Sequence, residues 1–422
     1  MPLALYLLGL AVFAQGTSEF MLSGLVPEIA ADLGVSVPAA GALTSAFAVG
    51  MVVGAPLTAV VGLRWPRRRA LLFLLLAFLL VHVLGAVTGS FGVLLAARVA
   101  GALATAGFLA VALATATAMV DAGSKGRATS VLLGGVTLAC VAGVPAGALL
   151  GQLWGWRSAF WAVALVSVPA VVAVARSVPA GPVDAGVPRV RGELRALRSA
   201  RLAVTLSVGA LVNGATFCTF TYLAPLVTDV AGLNAVWVPV LLALFGIGSF
   251  AGTTVAGRLA DSRPLQVLVP GGATLLVGWA VLALTGGSPA VLLVLVPLQG
   301  ALSFAVGSTL IVRVLYEAAD APALGGACAT AAFNVGAALG PSLGGAAIGA
   351  GFGYRSPLWV SALLVAAAFV TALTATGVAR AGRGDGRQRA SLSGGRPGAC
   401  PTSPADTAPP HGPRRQVPRP PR

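Results

Sequence analysis

"GWRSAFW", residues 155–161, returns as "GYRSPLW" at residues 353–359, 198 positions later and in the same register. The same shift lays Pro27 on Pro225, Phe47 on Phe245, Gly50 and Gly54 on Gly248 and Gly252, and Pro66 on Pro264. With 55 glycines in 422 residues, the Gly matches weigh little, and the Pro, Phe, Arg and Trp matches carry the inference of two copies of one unit.

The hydropathy says what that unit is. The chain is 57% hydrophobic and 9% charged, with a mean hydropathy of +0.92. Apolar runs bounded by charge or by Gly and Pro fall at 4–27, 38–62, 70–88, 91–119, 128–151 and 158–176. A second series falls at 202–226, 235–259, 265–286, 289–312, 323–350 and 356–378. Each is long enough for a helix to cross a hydrocarbon core of about 30 Å, where only helices and closed barrels satisfy their own backbone groups. Six spans per copy leave the copies parallel, related by an axis along the membrane normal. The expected fold is an all-α membrane protein of twelve transmembrane helices in two parallel six-helix bundles around a central cavity. The bundles occupy 1–176 and 202–378, joined by a Pro-, Gly- and Arg-rich linker at 177–201. A basic Pro- and Arg-rich tail at 379–422 has almost no apolar residues and is expected to be disordered.

The formal charge of +15 does not point to nucleic acid, because the charge sits in short loops and the tail and forms no binding face. Arg64 and Arg67 to Arg69 follow span 2, Lys125 and Arg127 follow span 4, and Arg189 to Arg201 fill the linker, while the alternate loops hold Arg157 and Arg355 with Glu28, Asp32 and Asp229. The positive-inside rule then puts both termini in the cytoplasm of a multi-pass protein of the plasma (inner) membrane. No basic residue precedes Arg64, so the first span lacks the n-region of a signal peptide and is expected to be retained. The four cysteines have no metal or disulfide spacing, and neither cofactor nor metal is implied.

Glu19 is the one carboxylate well inside a span, and such a charge is costly enough to suggest a function. Alternating hydration would let it take a proton on one side and release it on the other; a structural pairing with backbone or a base is the other reading. Gln15 lies one turn earlier on the same face. Arg98, in span 4, either faces Glu19 across the bundle or snorkels to the interface. His82 in span 3 either titrates or packs, and solvation accounts for Asp32 at the mouth. Polar and aromatic residues inside spans, Gln15, Asn213, Thr216, Phe220, Gln299, Ser303 and Asn334, are candidates to line a cavity with few formal charges. That cavity suits a neutral or zwitterionic amphiphile. Gly143, Pro145, Gly147 and Gly151 in span 5, with Gly340, Pro341, Gly344 and Gly345 in span 11, make small faces with a helix-bending proline. Such faces suit halves that rock, and also ordinary tight packing.

"GTSEFMLSGLVPEIAADLGVS" in span 1, "GVPAGALLGQLWGWRSAFW" in span 5 and "GAALGPSLGGA" in span 11 resemble the major facilitator superfamily, specifically its twelve-span drug:proton antiporters. "LTSAFAVGMVVGAP" and "ARVAGALATAGFLAVALATATAMV" resemble the chloramphenicol-efflux permeases of actinobacteria. The likeness covers spans 1 to 6 well and spans 7 to 12 more loosely. It implies proton-coupled efflux of a small antibiotic-like molecule, chloramphenicol or a related phenicol, by a monomer whose partners are that substrate, protons and the lipid bilayer. Glu19 and Arg98 would be the coupling pair. The chain departs from the pattern after span 2, with Leu63 at the usual Asp and Pro66 at the usual Gly, and in span 4, with Gly101 at the usual Gln. After span 8 it keeps Gly257 and Asp261 as gating residues. The residues themselves leave open the export of a sugar, amino acid or other metabolite, and a non-transporting receptor. No clustered nucleophile and base supports an enzyme.

Overall fold

The computed structural model describes residues 3–61, 66–121, 124–178, 199–259, 263–318 and 322–393. Among these every regular element is helical, and twelve helices are long and apolar enough to cross a membrane. In chain order, spans 1 to 6 are Leu3–Gly24, Val37–Ala55, Arg67–Val87, Phe91–Ala118, Arg127–Trp154 and Arg157–Ser177. Spans 7 to 12 are Ala200–Thr221, Trp237–Leu259, Pro264–Thr285, Pro289–Glu317, Gly325–Phe352 and Ser356–Ala375. A short amphipathic helix, Val26–Leu33, carries Glu28 and Asp32 between spans 1 and 2. That end of the bundle is called the Asp32 end below.

The helix of span 12 continues to Ser393, past the point where the sequence composition predicted a disordered tail. Ala and Arg recur after residue 378, and both are strong helix formers. The linker expected at 177–201 lies mostly outside the described residues, as do Leu63 and Asp261.

The internal repeat has an atomic counterpart. Gly155 and Gly353 both have positive φ, 78° and 71°, a conformation that a side chain disfavours. Each opens the turn into the sixth span of its half. Ser158 Oγ then donates to the Gly155 carbonyl and Ser356 Oγ to the Gly353 carbonyl, each at 2.7 Å. The Gly matches, discounted from composition alone, prove equivalent as well. A Cβ on Gly50 would lie 2.6 Å from the Val99 carbonyl, and one on Gly248 would collide with the Pro297 carbonyl, the same neighbour one repeat on. Span 2 therefore packs backbone-close on span 4, and span 8 on span 10.

Within each half the small-residue faces do the same kind of work. On span 5, Gly143, Gly147 and Gly151 lie against Thr17, Met21 and Leu25 of span 1. On span 11, Gly336, Gly340 and Gly344 lie against Ala210, Gly214 and Cys218 of span 7. Each ladder advances by four residues on both helices, as a groove of small residues requires. Pro145 cannot donate to the carbonyl of Val141, and the preceding Ala139–Gly143 segment is wound as a π-turn.

The halves meet through spans 2 and 11 on one side and spans 5 and 8 on the other, pairs that the repeat makes equivalent. Ser45 Oγ donates to the Ala338 carbonyl at 2.7 Å and lies 3.0 Å from Ser342 Oγ. Gly246 of span 8 abuts the backbone of Cys140 and Val141, and Gln152 Nε2 donates to the Ala235 carbonyl at 2.7 Å. Gly345 and Gly41 close on Tyr222, whose hydroxyl donates to the Pro341 carbonyl at 2.9 Å. All these contacts lie between the midplane and the Asp32 end.

Candidate substrate and coupling site

Where the halves meet, Phe20 of span 1 approaches Phe217 of span 7 with ring centroids 5.7 Å apart. Phe220 stacks on Phe245 of span 8 at 4.8 Å, and Phe245 meets Phe304 of span 10 edge-on at 6.2 Å. With Cys140 and Thr216 these five rings line a small apolar recess. The free space inside it is no more than one water molecule needs, so a drug-sized molecule enters only as the halves part. A second recess, lined by Thr219, Phe220, Leu223, Phe245, Trp279 and Val296, continues from the same Phe220 and Phe245 rings into the second half. The buried Trp279 Nε1 there has no hydrogen-bond partner among the described residues.

The residues predicted to bind substrate separate into two groups. Thr216 and Phe220 line the aromatic cavity, and Thr216 Oγ1 donates to the Val212 carbonyl, which spends its proton and leaves the oxygen able to accept. Asn213, Gln299 and Asn334 instead spend their amides on helix carbonyls, those of Phe333 at 2.7 Å, Leu275 at 3.0 Å and Thr330 at 3.0 Å. The first two tie span 7 to span 11 and span 10 to span 9. A buried amide takes a carbonyl within reach, whose second lone pair can accept it, a preference that sequence spacing does not reveal. Gln15 is buried, and its Nε2 has no partner among the described residues.

Beside the cavity lies the charge. Glu19 directly precedes Phe20, is half-buried, and its carboxylate has no hydrogen-bond or ion-pair partner among the described residues. It is close enough to act electrostatically on Cys140, a lining residue. Arg98 is 2% exposed, which rules out snorkelling. The guanidinium is close enough to act electrostatically on the Glu19 carboxylate but makes no hydrogen bond or ion pair with it among the described residues. Its NH1 donates to the carbonyl and hydroxyl of Ser18, each at 2.9 Å, and NH2 reaches the backbone carbonyl of Glu19 at 3.5 Å. The ring of Phe47 lies 4.3 Å from the guanidinium carbon. Span 1 turns from α-helix to a 3₁₀ turn at Met21–Gly24, one residue after Phe20.

At the Asp32 end, the motif that revealed the repeat has a second task. The Asp32 carboxylate accepts from the Arg157 guanidinium and, at 3.1 Å, from Trp156 Nε1, while Arg157 also donates to the Thr88 carbonyl at 3.0 Å. These donors hold the Asp32 carboxyl below its ordinary range. Glu28, half-buried beside Gly151, is shifted the other way by burial, and its Oε2 has no partner among the described residues. A Cβ on Gly257 would meet nothing within 4 Å among the described residues.

Two six-helix bundles closing on an apolar cavity with an unpaired carboxylate define a membrane transporter. The chain belongs to the Major Facilitator Superfamily, whose family model matches residues 8–325. It is a transporter and not an enzyme. A Streptomyces lividans protein named "Chloramphenicol resistance protein" is 59% identical over 88% of this chain and 96% of its own length. The Escherichia coli K12 "Inner membrane transport protein YdhP" is 35% identical over 82% of this chain and 89% of its own. Among solved structures, a bacterial homologue of the human lysosomal transporter Spinster, inward-facing and unoccupied, superposes with a TM-score of 0.68. That match has 17% identity and covers 87% of this chain and 95% of the other. The nucleoside transporter NupG gives 0.70 at 13% identity, over 88% and 98%. These last two likenesses concern the fold alone.

Proposed function

We propose that this protein exports chloramphenicol or a related phenicol from the cell, driven by the inward flow of protons. The observation that carries the substrate reading is the aromatic cavity, taken with the 59% identity to a chloramphenicol resistance protein. Chloramphenicol has one nitrophenyl ring, two hydroxyls, an amide and no formal charge. Stacking between Phe220, Phe245 and Phe217 suits the ring, and Thr216 and Gln15 supply an acceptor and a donor at low desolvation cost.

Coupling is assigned to Glu19 because it is an unpaired carboxylate next to that cavity. Neutral, it tolerates a closed, dry site; charged, it demands water or a cation, so its protonation state biases which side is open. The Gly faces of spans 5 and 11 let spans 1 and 7, which carry the cavity residues, slide against their neighbours as the halves rock. The Asp32 end is taken as the outside and the Arg-rich end as the cytoplasm of the inner membrane, on the positive-inside rule. Contacts at the outer half then close the exit, a state from which substrate is loaded from within. The functional unit is a monomer with its own cavity.

Expression in an efflux-deficient host tests the reading: phenicol resistance and lowered accumulation of radiolabelled chloramphenicol are expected, both lost on collapsing the proton gradient. Unaltered susceptibility to phenicols would overturn the substrate, and export insensitive to the gradient would overturn the coupling. Val190→Cys in the linker should resist an impermeant thiol reagent applied to intact cells.

A further inference from the structure

A chain of buried hydrogen bonds runs from Arg98 into span 3. Ser18 Oγ, which accepts from Arg98 NH1, lies 2.6 Å from His82 Nε2, and His82 Nδ1 lies 2.7 Å from the Phe78 carbonyl. A carbonyl only accepts, so Nδ1 carries a proton. Arg98 already donates to Ser18 Oγ, and the remaining bond is complete when the Ser18 hydroxyl donates to an unprotonated Nε2. Every group in the run then has one role: guanidinium to hydroxyl, hydroxyl to imidazole, imidazole to carbonyl. Serine inside a helix ordinarily bonds back to the carbonyl four residues earlier. Ser18 spends its proton on His82 instead, which turns Oγ toward span 4, where Arg98 waits.

The imidazole is held in place on every side. It is 3% exposed, its centroid lies 4.0 Å from that of Phe78 and 5.9 Å from that of Phe160, and its Cε1 lies 3.8 Å from where a Cβ on Gly101 would stand. We propose that His82 is a positioning residue of the transport cycle: acting through Ser18, it holds the Arg98 guanidinium on the backbone carbonyls of Ser18 and Glu19 and thereby keeps it off the Glu19 carboxylate. That separation leaves the carboxylate available for exchange with the cavity. Without the imidazole acceptor, the Ser18 hydroxyl reverts to its own helix, Arg98 NH1 keeps only the Ser18 carbonyl, and the nearest anion to claim the guanidinium is Glu19. The inference deepens the coupling reading above and rests on it for its consequence in transport.

Two measurements test it. Dicyclohexylcarbodiimide adds to accessible carboxyl groups and leaves a stable N-acylurea, which mass spectrometry counts at Glu19 in the purified full chain, whether or not anything is exported. In His82→Leu, Glu19 paired with Arg98 should react about tenfold more slowly at fixed pH. His82→Gln, whose Oε1 can accept from Ser18, should restore wild-type labelling, and Ser18→Ala should match His82→Leu with no further loss in the double variant. In proteoliposomes, His82→Leu should lower the gradient-driven maximal rate about tenfold with KM for chloramphenicol unchanged, and substrate counterflow without a gradient should persist as proof of folding. Unchanged labelling in His82→Leu, no rescue by His82→Gln, or additive effects of the two single changes would overturn the positioning role. Slowed labelling with no gradient-driven transport in the wild type would uphold the positioning and refute the coupling reading instead.

Discussion

Arg98 donates to the backbone carbonyl of Glu19 at 3.5 Å and leaves its carboxylate unpaired. A buried cation and a nearby acid that do not pair constitute an unusual arrangement, since unpaired charges inside a bilayer are costly. Ser18 and Phe47 hold the guanidinium in place of the acid, while its Nε has no hydrogen-bond partner among the described residues. Glu19→Gln retains size and hydrogen bonding but fixes neutrality. Vesicles containing this variant should bind and exchange chloramphenicol yet fail to accumulate it against an imposed pH gradient. Undiminished gradient-driven transport by Glu19→Gln would remove the residue from the coupling step.

Gly147 and Gly257 make a controlled pair. A Cβ at 147 would sit 3.3 Å from the Met21 Cβ, already tighter than an ordinary contact, whereas at 257 it meets nothing within 4 Å among the described residues. Gly147→Leu should therefore wedge span 5 from span 1 and abolish export while the protein still reaches the membrane. Gly257→Leu should export at close to the wild-type rate. Normal export by Gly147→Leu would reduce the glycine ladder to static packing.

The twelve spans and the repeat were legible because they rest on hydropathy and on Gly and Pro, signals that local sequence carries. So was the isolation of Glu19. The separation of substrate candidates was not: Asn213, Gln299 and Asn334 look like Thr216 in a sequence, and only the position of a neighbouring carbonyl turns them away from the cavity. The role of His82 stayed open between titration and packing because nothing in span 3 announces that Ser18 of span 1 comes within hydrogen-bond reach. The Phe residues of the cavity come from spans 1, 7, 8 and 10, and of the five only Phe220 was singled out, since bulky apolar residues in a span are indistinguishable from lipid-facing ones.

Phe220 borders both recesses and stacks on Phe245. Truncation to Ala removes a stacking surface worth about 1–2 kcal/mol, so the KM for chloramphenicol should rise about tenfold. Phe220→Tyr retains the ring and should stay near wild type. Transport kinetics in inverted vesicles separate the two, and an unchanged KM in Phe220→Ala would move the substrate out of this cavity.

Glu28 and Asp32, four residues apart on one helix, should give the protein stability responses to pH of opposite sign. The Asp32 carboxyl titrates below its ordinary value of 3.8 because Arg157 and Trp156 bond its charged form. Its contribution is present above 3.8 and is lost as pH falls through the lower folded value. Asp32→Asn should therefore melt earlier than wild type at pH 7, by a modest margin that shrinks in acid and in high salt, since the pair is solvent-exposed. Burial raises the Glu28 carboxyl above its ordinary 4.5, so the folded protein holds that proton more tightly than the unfolded chain does. Its contribution is complete below 4.5 and is lost as pH rises through the folded value. Glu28→Gln should accordingly melt later than wild type at pH 7 and at the same temperature below pH 4.5. Thermal melts of both variants in detergent at the two pH values provide the check. A Glu28→Gln protein less stable than wild type at pH 7 would mean that the charged carboxylate has a partner in the folded state.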